Sequence, residues 1–200
     1  MIIVKPSVEL LFITPNAASL IETAARTCYK SESKGKPEEF CEKLIKAGHL
    51  AMIEHASATF KIVTDRGISH ELVRHRLCSF AQESTRWISY GRGKFGSAIT
   101  VIEPTALYTP HLRRIWKESC ENSEAIYMRM LSKGVDPQHA RSVLPTCLKT
   151  ELVITANLRQ WLTILKIRSD LTAHPDVRLL MGKIAEILEK EVIWLFSAQK

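Results

Sequence analysis

Apolar positions change their spacing along the chain, and each change marks an element. Met1–Lys5 and Val8–Thr14 are short apolar-rich runs and predict two strands. Pro15, a good first helical residue, predicts a helix running through Ala18, Ile21, Ala25 and Cys28. A second helix is expected from Pro37, with Glu38 and Glu39 facing the positive end of its dipole and Gly48 closing it. Over Ala56–Thr64 the period drops to two: Ala58, Phe60 and Ile62 lie on one side, Ser57, Thr59 and Lys61 on the other. That is the pattern of a half-buried strand.

After an Asp65–Gly67 turn, Ile68–Cys78 reads as a helix, followed by a polar loop to about Trp87. Trp87–Tyr90 and Ala98–Ile102 are expected to pair as strands across the Gly91/Gly93/Gly96 connection. His111–Lys133 predicts a long helix with Gly134 just past its end, and Pro137–Leu144 a short one stopped by Pro145. Thr150–Ala156 fits strand or helix. Asn157 caps a helix through Trp161, Leu165 and Arg168, and Pro175 opens a last helix with Val177, Leu180, Ile184, Ile187, Leu188 and Val192 inward. The sum is an α+β fold, a mainly antiparallel sheet packed with several helices, in one domain over residues 1–200.

Composition narrows the class only a little. With 200 residues, 46% of them hydrophobic, the chain can bury about 70% of its unfolded surface and needs no disulfide or metal to fold. Its five cysteines are scattered, with no CxxC pair, which speaks against a disulfide framework or zinc cluster; no metal is expected, and a reducing cytoplasm is the simplest setting. The opening MIIVKPSVEL lacks a basic segment followed by a long apolar one, so no secretory signal is expected. No run reaches the ~18 apolar residues of a membrane span.

Charge is more informative. The net charge is +7, and two segments hold all of the excess. Residues 66–95 carry six cations against two carboxylates, and residues 138–180 six against three. An excess of this kind points to an anionic partner, and its clustering excludes a diffuse basic tail.

The densest polar stretch runs from Arg74-His75-Arg76 through Ser79, Gln82, Glu83, Ser84 and Thr85 to Arg86 and Trp87. On a helix, Arg74 and Cys78 would share a face while His75 and Arg76 point elsewhere. Two forked guanidinium groups beside hydroxyl donors suit a phosphate. Taken one at a time, these residues have plainer readings. R-H-R reads as a solvated basic helix, His55 as a core histidine on a strand, Asn157 as an N-cap, and Arg168 as a cation complementing a helix C-terminus. Cys147 reads as a buried thiol with no adjacent base.

In order along the chain, five blocks resemble the flavin-dependent thymidylate synthases, the ThyX family. They are Ala25-Arg26-Thr27-Cys28-Tyr29, Glu54-His55…Thr59-Phe60, Arg74-His75-Arg76 with Ser84 after seven residues, Ala140-Arg141…Leu144-Pro145, and Asn157-Leu158-Arg159 with Ile167-Arg168 and Ala173. The resemblance implies reductive methylation of dUMP to dTMP, with methylenetetrahydrofolate as carbon donor, FAD as mediator and NADPH as reductant. It implies dUMP contacts from Glu71, Arg74, Gln82, Glu83, Ser84, Thr85, Arg86, Arg141 and Arg168, with Arg168 the catalytic residue that stabilises uracil as its N3–H ionises. FAD contacts are implied for His55, Ser57, Arg74, His75, Arg76, Gln82, Asn157, Arg159 and Thr163. A cytoplasmic homotetramer with FAD at subunit junctions is implied too, with no nucleic-acid or membrane partner.

Several positions depart from the family pattern: Gln82 for Glu, Glu71 for Gln, Ala81 for a polar residue, Trp87 for Tyr, Thr163 for a longer amide or imidazole, and His174 for Gln. Two other readings therefore stay open: a flavoenzyme acting on another pyrimidine nucleotide, and a basic nucleic-acid-binding protein, which predicts salt-sensitive binding without flavin.

Overall fold

A computed structural model describes residues 1–91 and 96–197. Its elements are β1 (Ile2–Val4), β2 (Ser7–Ile13), α1 (Ala17–Thr27), α2 (Pro37–Lys46), a 3₁₀ turn (Leu50–His55), β3 (Ser57–Asp65), α3 (Arg66–Leu72), β4 (Ser79–Gln82) and β5 (Thr100–Ile102). There follow α4 (Pro110–Ser132), α5 (Pro137–Ala140), a second 3₁₀ turn (Arg141–Val143), β6 (Lys149–Asn157), α6 (Leu158–Arg168), α7 (Pro175–Glu191) and α8 (Ile193–Ser197). The strands form an antiparallel sheet in the order β2-β3-β6-β4 and a parallel pair, β1-β5. The α+β class is as expected.

The chain divides into two units, and β3, β4 and β6 each contribute residues to both. One unit holds residues 8–61, 75–80 and 153–200. Its strand halves alternate as the period-two pattern requires, with Ala58, Phe60, Ile154 and Ala156 buried. Trp161 of α6 lies edge-on to Phe60, centroids 5.0 Å apart, and its indole N–H donates to the Ala58 carbonyl at 3.0 Å, so the large ring is buried without an orphaned donor. Val177, Leu180, Met181, Ile184 and Leu188 form the buried stripe of α7. Opposite charges fix α1 internally: the Glu22 carboxylate accepts from Arg26 at 2.7 Å and from Ser33 at 2.8 Å, and the arginine holds it below the ordinary carboxylate range.

The other unit holds residues 1–7, 62–74 and 81–152. Tyr90, Ile99, Val101, Cys120, Tyr127, Ala140 and Leu148 make its core, with Trp116, Met128 and Leu131 packed against them. Glu124 of α4 accepts from the Ile99 amide at 2.8 Å and so holds the approach to β5. Gly134, at φ +83°, takes the left-handed conformation after α4 that a side chain would strain.

Five local expectations are corrected. The first helix starts at Ala17, not Pro15, after Asn16 in a left-handed conformation. The helix after Asp65 ends at Leu72, so Arg74, His75 and Arg76 are not helical. Its buried side holds only Ile68, Ser69 and Leu72, whereas Val73 and Leu77 are exposed, so the apolar period has no core to face beyond Leu72. The expected polar loop instead contains β4, which pairs with β6. Trp87–Tyr90 is not a strand, and β5 pairs with β1 rather than with it; Gly93 of the expected connection, like Arg92 and Lys94 of the first basic segment, lies outside the described residues. His55 closes the 3₁₀ turn, exposed, and is neither on a strand nor in the core. The ambiguous Thr150–Ala156 is strand, within β6.

Candidate functional site

In the unit built on residues 81–152, β4 ends by anchoring a loop. The Gln82 amide donates to Ser69 Oγ at 2.8 Å and Thr150 Oγ1 at 3.2 Å, a double donation that a carboxylate at this position could not make. The Glu83 N–H donates to the Glu151 carbonyl at 2.8 Å, carrying the β4–β6 pairing one residue further. Its carboxylate accepts from Tyr90 Oη at 3.1 Å and Lys149 Nζ at 3.0 Å, and Lys149 also pairs with Glu151. Burial, and then the Glu83 charge, push the Tyr90 phenol well up, so it stays a donor.

Beyond this anchor the chain turns. Ser84 Oγ accepts from the Arg86 N–H at 3.3 Å, and the Ser84 carbonyl accepts from Ile88 at 3.1 Å. Thr85 is buried, and its Oγ1 accepts from Arg141 Nη1 at 3.2 Å. Arg86 lies over the Trp87 ring, 4.9 Å from its centroid, and donates through Nε to Gln138 Oε1 at 3.3 Å. Two exposed guanidinium groups from separate stretches of sequence thus meet one hydroxyl-bearing turn. That is a donor set for an anion, and forked donors match phosphate oxygens in pairs.

In the unit built on residues 153–200, α6 carries the remaining candidates. Asn157 Oδ1 accepts from the Gln160 N–H at 2.8 Å and is a true N-cap. Thr163 donates back to the Arg159 carbonyl at 3.1 Å, and Arg159 pairs with Glu54 at 2.5 Å on the exposed side. A groove of about 920 Å³ runs along this side, lined among others by Leu50, Arg159, Leu162, Thr163, Lys166 and Ile167. On the inner side, Gln160, Ile164 and Arg168 follow one another at four-residue spacing on one stripe. The segment after α3 passes both ends of that stripe. Cys78 bonds Gln160, and Arg168 Nε donates to His75 Nε2 at 3.0 Å. Those two α6 positions are about 12 Å apart along the axis; three helical residues advance only about 4.5 Å. Extended, three residues reach roughly 10 Å, which is why the stretch from His75 to Cys78 opens out.

His75 is 9% exposed, and burial first, then the neighbouring Arg168 charge, lower its pKa. Arg74 and Arg76 on either side are exposed, and their side chains hold no partner among the described residues. Glu71 is half-buried on α3, and Ser57 sits half-buried at the start of β3, where its backbone exchanges bonds with Thr14.

The structure therefore brings together Thr85 with Arg141, Arg86 with Gln138, and Arg168 with His75. It gives His55 no such partner. Sequence reasoning missed Gln138, Lys149, Tyr90 and Ser69, which hold the loop. Lys149 and Glu151 share a strand face by alternation, but only once β6 is known to be a strand. Cys147 is half-buried, with Sγ 3.4 Å from Cys120 Sγ; burial and that contact push the Cys120 thiol up to about 12. Among the described residues no group of His, Cys, Asp and Glu is placed to hold a metal ion, and no helix is long and apolar enough to cross a membrane.

Comparison with known proteins gives one answer. The family described as thymidylate synthase complementing protein matches residues 9–192. Similar relatives, each named flavin-dependent thymidylate synthase, come from Mycobacteroides abscessus (31% identical, covering 88% of this chain and 76% of the relative) and Geobacter sulfurreducens (28%, covering 91% and 82%). Another, from Mycobacterium marinum, is 32% identical over 80% of this chain and 70% of its own.

Proposed function

The chain belongs to the flavin-dependent thymidylate synthases, and we propose that it converts dUMP to dTMP by reductive methylation, with methylenetetrahydrofolate as carbon donor, FAD as the flavin and NADPH as reductant. The observation that carries the nucleotide half of this reading is the Arg141–Thr85 bond at 3.2 Å, which joins two sequence blocks around one turn. There Ser84, Arg86 and Arg141 hold the dUMP phosphate, each guanidinium keeping its charge at any working pH. Glu83 contributes through the loop, since its carboxylate is already engaged by Tyr90 and Lys149.

The residues of α6 fit a flavin dinucleotide. The groove beside Arg159 and Thr163 combines apolar walls from Leu50, Leu162 and Ile167 with cations Arg159 and Lys166, as a ring system linked to a diphosphate demands. Arg76 of the same unit is a further exposed cation. Thr163, shorter than the usual family residue and bonded back to its own helix, would contribute little more than surface. When bound, the flavin supplies the redox chemistry that moves hydride and carbon to the pyrimidine.

Arg168 faces the uracil and stabilises the negative charge left as N3–H ionises, a stabilisation that grows as water is excluded. A homotetramer, with flavin at subunit junctions in the cytoplasm, completes the reading. Purified protein should be yellow and release tritium from 5-tritiated dUMP in preference to dCMP or UMP. A colourless protein that takes up no FAD and releases no tritium would overturn it.

A further inference from the structure

We propose that His75 is a positioning residue for Arg168: its Nε2 holds the Nε edge of the guanidinium and so fixes the plane in which Arg168 meets the pyrimidine. The inference rests on the uracil-facing role given to Arg168 above. It differs from a flavin contact for His75, because the nitrogen concerned is taken up within the chain.

The geometry is specific. Arg168 is the last residue of α6. An arginine there has many rotamers, and a catalytic guanidinium displaced by an ångström loses most of its effect. A guanidinium is rigid and planar, so one bond at Nε sets the direction of both terminal nitrogens. His75 supplies that bond at 3.0 Å and is itself 9% exposed, so water competes poorly for it. Since Arg168 Nε–H donates, His75 Nε2 must be the unprotonated nitrogen, which makes the imidazole neutral with its hydrogen on Nδ1. The lowered pKa of His75 agrees. The open chain from His75 to Cys78, tied to α6 at Gln160 as well, holds the imidazole in place.

The test compares wild type, His75→Leu and His75→Gln, each reconstituted with FAD, by tritium release from 5-tritiated dUMP. Glutamine keeps an acceptor where Nε2 stood, and leucine does not. The expected result is a loss in kcat on the order of 100-fold for His75→Leu, with little change in KM for dUMP or in flavin content, and recovery of most of it in His75→Gln. Equal kcat in all three, or loss through flavin release, would overturn the role. A second readout is independent of turnover: the Arg168 Nε–H signal in ¹⁵N-labelled protein, identified by its loss in Arg168→Lys. It should be protected from exchange in wild type and His75→Gln and exposed in His75→Leu; equal protection in all three sinks the proposal. If wild type forms no dTMP, the function proposed above fails, and the exchange data alone decide whether His75 positions Arg168.

Discussion

Lys149 Nζ stands 3.0 Å from Glu83 Oε2, and both side chains are largely shielded, at 17% and 10% exposure. The pair joins the residue just past β4 to the first residue of β6, immediately before the turn that carries Ser84, Thr85 and Arg86. Its part is structural: each oxygen of the Glu83 carboxylate is engaged within the chain, one by the phenol and one by the lysine.

Lys149→Met should therefore destabilise the protein by about 1–3 kcal/mol, because Glu83 is left shielded with Tyr90 as its remaining partner. Pairing it with Glu83→Gln should restore part of the loss by removing the uncompensated charge. Urea unfolding reads the effect as a lower midpoint at unchanged slope. A midpoint equal to wild type would contradict the anchoring role.

Arg86→Ala and Arg141→Ala should each weaken dUMP binding roughly 10- to 100-fold, the equivalent of one charge-assisted bond. Binding of deoxyuridine, which lacks the phosphate, should barely change. Titration calorimetry with the two ligands separates the cases. Equal losses for both would place these arginines at the sugar or base instead.

Legibility followed how far each interaction reaches along the chain. The capping of α6 by Asn157, the end of α4 before Gly134 and the alternation of β3 depend on neighbours within a few residues, and all could be read from spacing. The segment after α3 could not. Its sequence keeps a helical apolar period through Leu77, but Leu77 faces solvent, and the chain opens to reach contacts about 12 Å apart on α6. Local propensity yields to such tertiary demands. Of the candidate site, the forked cations beside hydroxyls were legible as phosphate chemistry, and the order of the blocks came from the resemblance to the family. Their supports (Gln138 under Arg86, Lys149 under Glu83, His75 beside Arg168) come from distant sequence and carry no local signal.

Asn157 tests whether one residue serves two purposes. Asn157→Ala should lose the N-cap and about 1 kcal/mol of stability. Asn157→Asp keeps an oxygen that accepts from the Gln160 N–H, so its melting temperature should stay near wild type. If Asn157 also donates to FAD through its amide, the Asp variant should bind flavin more weakly despite its intact cap. Retained FAD affinity in Asn157→Asp would limit the residue to capping.

His75 makes stability depend on pH with a definite sign. Folding favours its neutral form, because burial and the Arg168 charge lower its pKa from the ordinary 6.5. Between the folded and unfolded values the unfolded chain binds more protons, so stability rises with pH there. The contribution is complete above about 6.5 and is lost as pH falls through the unfolded value toward the folded one. Arg168 stays charged throughout, so the change belongs to the imidazole. Melting temperatures of wild type and His75→Gln between about pH 5 and 8 isolate it, with the two curves converging at high pH and wild type falling faster on acidification. Parallel curves would mean that folding leaves the His75 pKa unchanged, and a wild type that gains stability in acid relative to the variant would mean that His75 folds protonated and cannot accept from Arg168.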